Sequence, residues 1–193
     1  MIENFLRPPQ SAAEWFADAV RVLGLVSVVV AGIGWSPVDA GIVAFVLPAL
    51  LLPRFLGIRP WFDICCGTVI LVAAWSNVLE LYEAVAWWDL LVHFLCTGVI
   101  AVMLYLLLAM LWVVPLPPAA PGAARTPIVL VACLGLAVSS VWEMVEWFGH
   151  TFISADIYVS YQDTIGDMVL GGLGALAGGL VVASVPLLRD GVT

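Results

Sequence analysis

Lysine is absent from this chain, and its six basic residues are all arginines: Arg7, Arg21, Arg54, Arg59, Arg125 and Arg189. Against them stand 14 acids, for a formal net charge of -8. That balance excludes the polybasic surface on which nucleic acid or an anionic lipid sheet is held, so no nucleic-acid partner is expected. Charge of either sign is scarce at 10% of residues, whereas 64% are hydrophobic and the mean hydropathy is +1.14. A soluble domain carries about 25% charged residues, so the composition points to a polytopic protein whose first partner is the lipid bilayer. Paired cysteines are lacking as well. Cys65, Cys66, Cys96 and Cys133 have neither C-x-x-C nor the long paired spacings of zinc modules and disulfide scaffolds, and read as small packing residues. Met1–Gln10 contains no basic run followed at once by an apolar core, so the first apolar stretch is expected to be a retained span.

A helix needs about 20 apolar residues to cross a bilayer. Six stretches qualify: Ala19–Trp35, Gly41–Leu56, Trp61–Leu79, Asp89–Val114, Pro127–Gly149 and Thr164–Leu188. They predict an all-α transmembrane bundle of six spans, a single domain over residues 1–193. The second stretch is the weakest, because Pro48 interrupts it and Pro53 is expected to end it early. Ser11 and Glu14 have capping-box spacing, which predicts a short helical lead-in over Ser11–Val22. The Ala- and Pro-rich Pro115–Pro127 reads as a linker. In the Gly-rich last span, Gly174 and Gly178 form a G-x-x-x-G pair, which favours close helix packing over a phosphate cradle.

Six spans put every arginine on one side, so the positive-inside rule predicts cytoplasmic N- and C-termini. Trp87, Trp88, Trp142 and Trp147 then mark the outer interface, and Trp61 and Trp112 the inner one.

Polar residues recur where polarity is expensive. Span three ends Asn77-x-x-Glu80-x-x-Glu83, span four opens Asp89-x-x-x-His93, span five closes Glu143-x-x-Glu146-x-x-x-His150, and span six opens Asp163-x-x-x-Asp167. Spacings of three or four residues stack each pair on one helix face. Four helices therefore bring polar stripes to the outer third of the bilayer, with His93 about 6 Å further in than Asp89. A buried carboxylate costs roughly 2.5 to 3.5 kcal/mol even on lenient insertion scales, and the usual Lys or Arg partner lies on the other side. Compensation must come from a cation, protons or water. A divalent metal suits carboxylates with imidazole at helical spacing, which makes His93, Glu143, Glu146, Asp167, Asp89, Asp163 and Glu80 the candidate ligands.

At the same residues the chain resembles the YjdF-like family of bacterial inner-membrane proteins. The resemblance rests on Asp89-Leu90-Leu91-Val92-His93-Phe94, Trp142-Glu143-Met144-Val145-Glu146-Trp147 and Asp163-Thr164-Ile165-Gly166-Asp167-Met168, in this order, over roughly the second half of the sequence. It implies a compact helical bundle in a bacterial inner membrane and brings no particular reaction. The segment Ile157–Gln162 departs from the Gly-rich, acidic run of that family.

Several functions stay open at this point. One is a metal-dependent membrane protein, enzyme or not, with metal identity and substrate unspecified. A proton or cation carrier would use the same acids, but inward of the cluster Ser139, Ser140 and Thr97 are the main polar residues, so no continuous pathway is visible. A structural or assembly subunit would use them to dock a membrane-complex partner or a second copy. A haem held by His93 and His150 is the remotest, since the carboxylates oppose its propionates.

Overall fold

A computed structural model describes residues 1–115, 125–153, 157 and 159–192. Among these there is no β-strand, and six helical segments are long and apolar enough to cross a membrane: Ala12–Gly34, Pro37–Leu56, Pro60–Val78, Trp88–Met110, Arg125–Phe152 and Tyr161–Ser184. The protein is a multi-pass all-α membrane protein. Residues 116–124 of the expected linker, and Tyr158 in the segment before Asp163, lie outside the described residues.

The chain packs as two compact units, one of residues 1–86 with the tail from Pro186, the other Trp87–Val185. The first holds α1 (Ile2–Leu6), α2 (Ala12–Gly34), α3 (Pro37–Phe45), α4 (Leu47–Leu56), α5 (Pro60–Val78) and α6 (Leu81–Ala84). The expected lead-in and first span are one continuous helix, α2, capped by the Ser11 hydroxyl accepting from the Glu14 amide at 3.2 Å. The second span is broken at Val46, because Pro48 has no N–H to give and its ring crowds the preceding turn. Pro53 does not end it, contrary to expectation. The helix continues to Leu56 and stops at Gly57, whose φ of 71° is the left-handed turn of a helix C-terminus.

Arg21 and Arg54 of this unit are paired with acids. Arg21, about 14 Å into α2 by helical rise, is buried and donates to both oxygens of Asp63 at 2.6 and 2.7 Å, to Asp18 at 3.0 Å and to the Leu50 carbonyl at 3.1 Å. Arg54 donates to both oxygens of Asp18 at 2.8 and 2.9 Å and to the Phe5 and Arg7 carbonyls. Sequence reading sent most carboxylates to the opposite side from the arginines. Asp18 and Asp63 instead neutralise them, as a desolvated guanidinium demands.

The second unit holds α7 (Trp88–Met110), α8 (Arg125–Phe152) and α9 (Tyr161–Ser184). Its seam is built from small residues. A Cβ on Gly174 would fall 1.9 Å from the Phe94 carbonyl oxygen, and one on Gly98 would fall 2.9 Å from the Gly174 carbonyl oxygen. Gly178 likewise meets Val102. Phe94, Gly98 and Val102 thus track Gly174 and Gly178 in the same direction, so α7 and α9 run parallel. On the other side of α9, Gly135 faces Ala175 and Gly179 faces Ile128, so α8 runs antiparallel to it. Dispersion across such close backbones is what holds helices together where lipid is as apolar as they are.

Because the Phe94 carbonyl is backbone and cannot swing aside, Gly174→Ala is expected to destabilise by about 1 to 3 kcal/mol or more. Gly34→Ala, with nothing within 4 Å of the added carbon, should melt close to wild type. Thermal melts of both variants in one detergent check this.

Candidate functional site

The three helices of the second unit arrange their polar residues in tiers, each tier one helical turn from the next. His93 on α7, Asp167 on α9 and Glu143 on α8 are buried, at 7%, 1% and 8% exposure. One turn toward the helix ends stand Asp89 and Asp163, and at a similar step along α8 stands Glu146. One turn inward, the Thr97 and Ser139 hydroxyls converge on Gly171, where an added Cβ would lie 2.9 and 2.8 Å from them. Beyond that tier the Gly98, Gly174 and Gly135–Ala175 contacts close the seam with apolar atoms and backbone.

Local sequence explains the placement. Ser160 caps α9 by accepting from the Asp163 amide at 3.3 Å, and Asp163 and Asp89 occupy the first turns of their helices. There the partial positive charge of a helix N-terminus favours an acid. Since α7 and α9 are parallel, two such termini meet at the cluster.

The candidate ligand atoms form two groups that share His93. Asp89, His93 and Asp167 can each offer one atom within 4.8 Å of the others, and so can His93, Glu143 and Glu146. His93 Nε2 lies 3.4 Å from Asp89 Oδ1 and 3.9 Å from Asp167 Oδ1. Glu146 is held by the Trp142 indole, whose Nε1 donates to its Oε1 at 2.8 Å. Glu143 Oε1 and both Asp167 oxygens are buried with no hydrogen-bond partner among the described residues. Buried polar groups are nearly always satisfied, and an orphaned carboxylate is among the most expensive exceptions. Within this unit Arg125 is the only arginine, at the first residue of α8 and so at the far end of that helix from Glu143.

Of the seven candidate ligands, five fall in the two groups. Asp163 sits one turn outside Asp167 and joins neither. Glu80 belongs to the first unit, is exposed at the end of α5 with φ of 56°, and joins neither. His150 is exposed, with Nδ1 2.6 Å from the Ile157 carbonyl, and is in neither group with His93. Sequence reasoning missed the Trp142 indole that holds Glu146. The four-residue spacing of the two, one helical turn, was the available signal.

The family described as "Predicted membrane protein (DUF2238)" matches residues 11–186. The chain belongs to that family. The match takes in all six spans and both unit boundaries, and so covers every residue of the two ligand groups. No curated protein and no solved structure matches the chain.

An orphaned carboxylate gains nothing for the fold when no cation is there. With chelator present, Asp167→Asn is therefore expected to raise stability by about 1 to 3 kcal/mol, the cost of an unsatisfied charged group. A melt of the two proteins in EDTA checks the sign.

Proposed function

We propose that this DUF2238 protein binds divalent cations at the cluster of His93, Asp89, Asp167, Glu143 and Glu146, on the outer side of a bacterial inner membrane. The single observation that carries the reading is the set of buried carboxylate oxygens on Asp167 and Glu143 that no donor among the described residues satisfies, gathered around one imidazole. Two atoms bound to one ion at about 2.1 Å lie within roughly 4.2 Å of each other. The His93 to Asp89 and His93 to Asp167 separations of 3.4 and 3.9 Å meet that limit. The mixed oxygen and imidazole set suits a first-row transition ion or zinc better than calcium, which takes oxygen alone. Asp163, one turn out, would tune the site from outside the ligand set.

The closed seam inward of Thr97 and Ser139 argues for a site that holds its ion over a pathway that passes it on. Charge compensation by the metal links binding to stability, worth about 2.7 kcal/mol at a free concentration of 100 times Kd. Elemental analysis of purified protein should find one or two divalent ions per chain, and chelation should lower the melting temperature of wild type. Glu143→Gln and His93→Ala should lose metal and blunt that response, while Glu80→Gln should respond as wild type does. Metal-free protein whose melting ignores chelator in all four would overturn the reading and favour a carrier or docking surface built on protonated acids.

The outer placement rests on the arginine asymmetry together with six spans. Reporter fusions after Ser36 and Glu83 should read as external, and those after Arg59 and Gly122 as internal. One reversed loop would move the cluster to the other face.

A further inference from the structure

In the first unit a cavity of about 570 Å³ opens among Arg7, Arg59, Arg189, Ser11, Glu14 and Trp61. Its cations outnumber its anions. Arg7 pairs with Glu14, and Arg59 donates to the almost fully exposed Asp190 at 2.8 Å and to the Leu188 carbonyl at 2.9 Å. Arg189 has one acidic neighbour among the described residues, the same Glu14, at 3.8 Å, beyond hydrogen-bond reach. The Nε groups of Arg189 and Arg7 are buried with no acceptor among the described residues. Burial, with the like charges of Arg7 and Arg54, pulls Arg189 below its ordinary pKa against the opposing pull of Glu14 and Asp63.

The position of Arg189 is fixed. Its amide donates to the Gly57 carbonyl at 2.9 Å, the Arg59 amide donates to Leu187 at 2.7 Å, and Ile58 bridges Leu188. The tail is thus pinned on the turn between α4 and α5. The cavity also meets the start of α2 at Ser11 and of α5 at Arg59 and Pro60, where helix N-termini add partial positive charge.

We infer that this cavity binds a phosphate group, held by Arg189, Arg7 and Arg59. Several guanidinium forks need more acceptor oxygens than the two of a carboxylate, and phosphate supplies them in bidentate geometry. A net charge of -8 excludes a polybasic surface, yet leaves room for one such pocket. Ile2, Leu6, Trp15 and Trp61 stand around this end at 59%, 71%, 63% and 50% exposure, an apolar and aromatic rim of the kind that sits at headgroup depth. That rim favours the phosphate of an anionic lipid over a soluble one.

The full chain in neutral detergent can be titrated with short-chain phosphatidylglycerol, phosphatidylcholine and glycerol phosphate, with retention read by native mass spectrometry and binding by melting temperature. Wild type should retain phosphatidylglycerol at least tenfold more strongly than phosphatidylcholine. Arg189→Gln should erase that preference, and the rim variant Arg59→Gln should reduce it in part, which keeps the test alive if Arg189→Gln fails to fold. Arg125→Gln, outside the cavity, should keep it. Glycerol phosphate matching phosphatidylglycerol would support the phosphate site and assign it a soluble ligand. Equal retention of both lipids without any response to glycerol phosphate, or a preference untouched by Arg189→Gln and Arg59→Gln, would overturn the inference.

Discussion

Everything distinctive in the second unit depends on the approach of α7 to α9 at Gly174, where backbone meets backbone. Parallel packing at that distance puts two helix N-termini side by side and aligns Asp89 and His93 with Asp163 and Asp167. The antiparallel α8 then delivers Glu143 and Glu146 from its C-terminal half. Were α7 and α9 spread by even one side chain, the His93 to Asp167 separation of 3.9 Å would grow past what one ion can bridge. Packing by small residues and the chemistry of the cluster are therefore one constraint.

The Arg21 and Arg54 network and the acid cluster of the second unit treat charge in opposite ways. In the first, the guanidiniums of buried Arg21 and half-buried Arg54 meet carboxylates and carbonyls, and the favourable geometry offsets desolvation. In the second, carboxylates gather without a guanidinium and leave oxygens unmatched.

The six spans were legible because apolar length is a property of sequence alone, and the acid tiers because a spacing of three or four residues fixes a helix face. What periodicity cannot say is which face meets which. The parallel pairing of α7 with α9 depends on contacts such as Phe94 with Gly174, about 80 residues apart in the chain. The partnership of Arg21 with Asp63 spans 42 residues and was invisible for the same reason. Asp18 at the edge of one apolar stretch and Asp63 inside another, with Arg21 just within the first, were the clue available. The break at Val46 was readable from Pro48, whereas the tolerance of Pro53 depends on how α4 packs.

The separation of α7 from its partner also has a temporal meaning. Ribosomes add about 5 to 20 residues per second, so α7 waits roughly 4 to 16 seconds in the bilayer before Gly174 has been made. Until α8 is made the helix carries Asp89 and His93 without Glu143 and Glu146, and until α9 is made it carries them without Asp167. The group of His93, Glu143 and Glu146 draws on α7 and α8 alone, whereas that of Asp89, His93 and Asp167 waits for α9, the same helix that closes the seam.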